Sequence, residues 1–172
     1  MKLANAIAQF LKGKGITHVF TVSGGANLRL IHGIAETEGI ALVCPQTEQA
    51  AGFAADAYAR LTGLGCSMAT SGPGATNLVT AIATSYYDSV PVLYIAGQVS
   101  TGRMTGDIGV RQLGFQETPI VPMVKGITKF AVEPMTAGEV LPLLHQAVDV
   151  ARFGRKGPVL VSIPDDLQRA EV

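Results

Sequence analysis

Charge is scarce in this sequence. Only 15% of its residues are Asp, Glu, Lys or Arg, and 13 basic residues balance 13 acidic ones. No Lys/Arg stripe stands out, so nothing electrostatic points to nucleic acid or a membrane surface as a partner. Long apolar runs are missing too, and none approaches the roughly 18 residues that a membrane span requires. The opening residues read as an amphipathic helix rather than a secretory leader, and a cytoplasmic protein is expected. Cysteine is limited to Cys44 and Cys66, each in an apolar, strand-like stretch. Buried, reduced thiols are expected there rather than a disulfide or a metal site. His18, His32 and His145 show no metal-ligand spacing with the cysteines, so no metal site is expected. His18 and His145 lie in or beside apolar runs and are expected to be packed or hydrogen-bonded rather than catalytic.

Phosphate and nucleophile signatures are absent as well. No lysine is followed by Ser or Thr, which excludes a Walker A loop. In Gly72-Pro73-Gly74-Ala75-Thr76-Asn77, Asn77 stands where a dinucleotide fingerprint needs its third glycine. Ser71 lacks the G-x-S-x-G surroundings of a hydrolase nucleophile.

What the chain does have is apolar residues, 48% of its 172. That composition excludes disorder, and the length suits one domain with a real core. Leu3, Ile7, Phe10 and Leu11 recur at helical spacing and predict a helix over 2–13. Short apolar runs predict strands over 18–22, 40–44, 66–70, 91–96, 127–132 and 158–163. Between them helices are predicted over 26–37, with Leu28, Ile31 and Ile34 inward, from beyond Pro45 to about 61, over 75–87 and over 136–152. Residues 98–118 show no period and hold four glycines, which predicts a long surface loop of the kind that is usually functional. Strand and helix alternate, and the strands are apolar throughout. The expected fold is α/β, a three-layer α-β-α sandwich around a doubly wound, mainly parallel sheet of about six strands.

In such a sheet, ligands bind beyond the carboxyl ends of the strands. Three turns fall there: Val22-Ser23-Gly24-Gly25, Gln46-Thr47-Glu48 and Ser71-Gly72-Pro73-Gly74. Glu48 therefore sits on a rim between two glycine turns. Taken singly, the glycines are explained by tight βα turns, and Glu48 by the preference of acids for a helix's first turn. The helix that Glu48 opens carries six alanines between Ala50 and Ala59, together with Gly52. Residues that small suit very close packing, against another helix of this chain or against another chain.

The stretches VFTVSGGANL, QTEQAAGFAADAYARLTG, ATSGPGATNLVTAIATSYYDSVPVLYIAGQVS, GFQET and RFGRKGPVLVSIPDDLQ form a pattern. The chain resembles the N-terminal pyrimidine-binding domain of thiamine diphosphate enzymes, most closely the acetolactate synthase-like group. The stretches come in family order and cover nearly the whole chain, so residues 1–172 are expected to form a single such domain. For Glu48 the resemblance implies a hydrogen bond to the aminopyrimidine of thiamine diphosphate, favouring its imino tautomer. It implies that Val22, Gly24, Pro73 and Asn77 lie against the same ring. It places Gln116 near the reacting centre, where it would contact both cofactor and substrate, and Phe115 beside it on the substrate side. The implied reaction is decarboxylation and carboligation of a 2-oxo acid such as pyruvate.

The resemblance also implies what this chain does not carry. The diphosphate and its Mg2+ are held in the family by a separate domain with a GDG motif, and no GDG occurs here. A complete site would form with the diphosphate-binding domain of a partner subunit, in a homodimer, and the isolated chain would be inactive. Whether FAD binds is left open. Ser23 and Thr47 depart from the proline and histidine common at those positions, which leaves the substrate open. Two other readings stand beside the synthase: a stand-alone subunit of a two-chain 2-oxo acid decarboxylase, and a non-catalytic assembly module of the same fold.

Overall fold

The computed structural model describes residues 1–172. Its strands are β1 (His18–Thr21), β2 (Ala41–Val43), β3 (Gly65–Ala69), β4 (Val92–Gln98), β5 (Phe130–Val132) and β6 (Val159–Pro164). They form one sheet in the order β2-β1-β3-β4-β6-β5, with every neighbouring pair parallel. The helices are α1 (Leu3–Gly13), α2 (Leu28–Ala35), α3 (Glu48–Thr62), α4 (Pro73–Asn77), α5 (Val79–Tyr87), α6 (Ile120–Val124), α7 (Ala137–Arg152) and α8 (Asp165–Gln168).

Alternate residues of each strand face opposite sides, and each side builds its own core. On one side α1, α2 and α7 bring Leu3, Ile7, Leu30, Ile34, Leu144 and Val148 onto Cys66, Met68, Leu93, Ile95 and Val161. On the other, Ala51, Ala55, Leu78, Ile82 and Val124 cover Tyr94, Ala96 and Leu160. This is the three-layer sandwich that the alternating pattern predicts.

The alanine-rich helix owes its close approach to its own chain. A methyl at Gly52 would stand 2.5 Å from Ala81 Cβ on α5, and one at Gly65 would stand 2.1 Å from the Ala55 carbonyl oxygen. Both glycines let α3 settle directly on β3 and α5. Beneath it, buried Asp56 accepts hydrogen bonds from Ser85 Oγ at 2.7 Å and from Arg60 Nε at 2.7 Å. Ser85 Oγ is also 2.9 Å from the Tyr94 hydroxyl. Burial pushes that phenol well above its ordinary pKa, although the Ser85 hydrogen bond opposes the shift.

Several expectations need correction. Cys44 is exposed, because it lies past the end of β2, the outermost strand; only Cys66 is buried, and burial pushes its thiol up to about 12. Leu28 is exposed and Leu30 takes its place in the core. The segment opens with a 3-10 turn over Gly25–Asn27, so the α-helix begins only at Leu28, and Leu30 and Ile34 share its inner face. The helix predicted over 75–87 is two helices, α4 and α5, meeting at Leu78. The strand predicted over 127–132 is paired only from Phe130, and residues up to Ile127 turn as a 3-10 helix. His18 is hydrogen-bonded to Thr17 Oγ1 at 3.0 Å and His145 packs edge-on against Phe10, as expected of them. No helix is long and apolar enough to cross a membrane.

Candidate functional site

The strand order creates the site. From β1 the chain crosses to β2 on one side, then returns through α3 to β3 on the other side of β1. Connections diverge between β1 and β3, and a crevice opens there at the carboxyl ends of the strands. The Val22–Gly25 turn, the start of α3 and the Ser71–Gly74 turn all border it.

Glu48 is the first residue of α3. Thr47 caps the helix, its Oγ1 accepting from the Ala50 amide at 3.2 Å. The cap leaves the Glu48 side chain half-buried over the crevice. Asn77, at the end of α4, donates its Nδ2 to Glu48 Oε2 at 3.0 Å. The other oxygen, Oε1, takes no hydrogen bond within the chain and faces Gly74, where an added methyl would stand 3.4 Å away. Pro73 opens α4 and is exposed beside this pair. One carboxylate oxygen is therefore oriented by an amide, and the other can accept a hydrogen bond from a donor in the crevice.

The β1 turn is locked by two residues that sequence reasoning did not single out. Asn27 is buried; its Oδ1 accepts from the Gly24 amide at 2.8 Å, and its Nδ2 donates to the Val22 carbonyl at 3.0 Å. Thr70 follows β3 directly, and its Oγ1 accepts from the Ala26 amide at 3.1 Å. A methyl on Gly24 would stand 2.5 Å from Thr70 Cβ, and one on Gly74 would stand 2.7 Å from Thr70 Cγ2. Thr70 thus fills the gap between the two glycine turns. Its only sequence signal is its place between a strand and Ser-Gly-Pro-Gly.

Gln116 and Phe115 belong to a second part of the site. With Gly25, Thr70, Ser71 and Arg103 they line a cleft of about 230 Å³. Phe115 is 84% exposed at its mouth. Arg103 forms no ion pair within the chain, whereas Asp165, the acid on the same lining, is paired with Arg169. The loop behind it is pinned by acids. Asp166 accepts from the Thr101 amide at 3.0 Å and its hydroxyl at 2.6 Å. Burial would raise its pKa, but those bonds outweigh burial and hold the carboxyl below its ordinary range. Glu117 behaves likewise: burial opposes, while amides of Leu113 and Thr105, the Thr105 hydroxyl and the Gly114 amide together lower its pKa.

The structure therefore brings Glu48 and Asn77 into direct contact, packs Gly24 and Gly74 against Thr70, and ties Val22 to Gly24 through Asn27. It sets Gln116 and Phe115 on the adjoining cleft. Together fold and crevice define a doubly wound α/β domain with a polar crevice at its switch point. The sequence profile of the family described as "Thiamine pyrophosphate enzyme, N-terminal TPP binding domain" matches residues 1–123. The chain belongs to that family. It is similar to the chloroplastic acetolactate synthase 2 of Nicotiana tabacum, 41% identical over 98% of this chain and 24% of the relative. The acetolactate synthase of Arthrospira platensis is 42% identical over 98% of this chain and 29% of its own length. That of Arabidopsis thaliana, also chloroplastic, is 40% identical over 98% of this chain and 24% of its own. The chain spans about a quarter of the length of the curated relatives it matches.

Proposed function

We propose that this domain is the pyrimidine-binding half of a thiamine diphosphate-dependent, acetolactate synthase-like enzyme that decarboxylates pyruvate and joins its two-carbon fragment to a second 2-oxo acid. The observation that carries the reading is the Glu48–Asn77 pair at 3.0 Å, with one carboxylate oxygen open at the switch point. Glu48 would accept a hydrogen bond from, and share a proton with, a pyrimidine ring nitrogen. Asn77 keeps the carboxylate turned toward the crevice. Val22, Gly24 and Pro73 would wall the ring. When bound, thiamine diphosphate supplies the electron sink that decarboxylation needs, while protein groups orient it.

Gln116 and Phe115 would line the substrate side. Arg103 suits the carboxylate of a 2-oxo acid, because a guanidinium binds a carboxylate through parallel N–H bonds. Mg2+ and the diphosphate would be held by a diphosphate-binding domain of a partner subunit. The outer face of α3 supports that assembly: Ala50, Phe53, Ala57 and Leu61 recur there and are all exposed, Leu61 to 89%. In the full natural polypeptide, Glu48→Gln should lower turnover more than about tenfold, the scale of lost general acid-base catalysis, with an unchanged circular dichroism spectrum. Wild-type turnover in that variant would remove the role assigned to Glu48.

A further inference from the structure

Gln116 holds a backbone conformation that an L residue rarely takes, with φ at +61°. It rests on Gly72, itself at +60°; a methyl there would stand 2.7 Å from Gln116 Cβ and 2.7 Å from its carbonyl oxygen. This fit sets the glutamine against the turn that opens α4, the helix bearing Asn77. A strained conformation of this kind persists only where the surroundings enforce it.

The enforcing neighbour is Glu117. Its Oε1 accepts from the Thr105 amide at 2.7 Å and the Thr105 hydroxyl at 2.9 Å. Its Oε2 accepts from the amides of Leu113 at 3.0 Å and Gly114 at 3.4 Å. Its own amide donates to the Gly114 carbonyl at 3.1 Å. One carboxylate thus joins both ends of the 105–114 excursion and immediately follows Gln116 in the chain. The closed loop is also seated on the segment that follows β4, since a methyl on Gly114 would stand 2.9 Å from Val99 Cβ and 3.0 Å from the Arg103 carbonyl oxygen. All four of Glu117's side-chain partners are donors, so a neutral amide in its place would turn an NH2 group toward other donors.

We propose that Glu117 is a positioning residue: its carboxylate closes residues 105–117 into a rigid frame that holds Gln116 against Gly72, at the cleft where a 2-oxo acid binds. The proposal rests on the function inferred above. Glu117 does not line the cleft, so it acts through Gln116 rather than on substrate.

The test uses the full natural polypeptide with thiamine diphosphate, Mg2+ and pyruvate. Glu117→Gln should raise KM for pyruvate about tenfold, as expected when a group that holds a substrate contact loses half its hydrogen bonds. The affinity for thiamine diphosphate should stay unchanged. Hydrogen exchange at the Thr105, Leu113 and Gly114 amides should quicken by about tenfold or more, while β3 and β4 keep their protection. Glu117→Asp, which keeps the charge, should recover part of both losses. In a Gln116→Ala background, Glu117→Gln should add no further loss in KM, because the two residues act as one unit. Full additivity there, or unchanged exchange at the three amides, overturns the proposal. If the unaltered enzyme shows no thiamine diphosphate-dependent turnover, the function inferred above fails instead, and exchange alone decides whether Glu117 builds the frame.

Discussion

Glu48 and Glu117 are both carboxylates, yet their surroundings give them opposite characters. Glu48 has one amide partner and one open oxygen. Glu117 has four donors and no vacancy. Hydrogen bonds to the charged form hold the Glu117 carboxyl below its ordinary value despite partial burial. In the unfolded chain that carboxyl titrates near about 4.3. Its contribution to loop order is therefore fully present above that pH and is lost as pH falls through the lower folded value. A carbon-13 NMR titration of the Glu117 carboxyl should give a midpoint below about 4.3, with the Leu113 amide shifting in step. A midpoint at or above that value would contradict the hydrogen-bonded frame. At this scale the sequence was readable where a residue's type matched its place. Glu48, beside two glycine turns, was conspicuous. Thr70 and Asn27 were not, because an ordinary threonine and asparagine acquire their roles only from what the turns bring against them.

Elements were legible where periodicity was strong and long. α1 and α7 are amphipathic over three turns or more, and their apolar residues mark the faces they bury, whereas α3 buries small residues and leaves Phe53 and Leu61 exposed. The 3-10 opening of α2 was not visible, since a 3-10 turn and an α-helix share nearly the same composition, and the phase of the inner face slipped from Leu28 to Leu30. Helices α6 and α8 were missed because five and four residues are too few to show a period. For α3 the side chains settle its height above the sheet. Gly52 and Gly65 leave no room for a methyl, so Glu48 stands where it does because the whole helix sits low. Gly52→Val should thus cost stability through overpacking, about 1–3 kcal/mol, measured by urea unfolding. Wild-type stability would mean that α3 and α5 are not in the contact described.

The whole molecule is a sheet whose six strands all point one way, which gathers every βα turn at one edge. That arrangement was legible from alternation alone, and it brings the three turns of Val22, Glu48 and Ser71 to one edge. The proposed sharing of the site with a diphosphate-binding domain rests on the resemblance alone, since composition says nothing about it. An expected consequence is that the 172-residue chain, purified alone, binds thiamine diphosphate weakly and forms no acetolactate from pyruvate. Isothermal titration calorimetry and a colorimetric product assay would check both. Activity from this chain by itself would refute the shared-site reading.

The core on the α1 side joins distant parts of the chain. Leu3, Ile7 and Leu11 pack in one cluster with Leu144, Val148, Val159 and Ile163, and the Leu3 amide donates to the Ala170 carbonyl at 2.8 Å. During synthesis, therefore, α1 can meet α2 early, since a methyl at Gly33 would stand 2.7 Å from the Ala4 carbonyl oxygen, but its contacts with α7 and β6 wait until more than a hundred further residues have followed. At ordinary elongation rates that takes roughly 6–30 seconds. Contacts of such long range also slow the folding step itself. The nascent domain consequently presents a half-covered apolar layer for that interval, the kind of surface that chaperones near the exit tunnel shield.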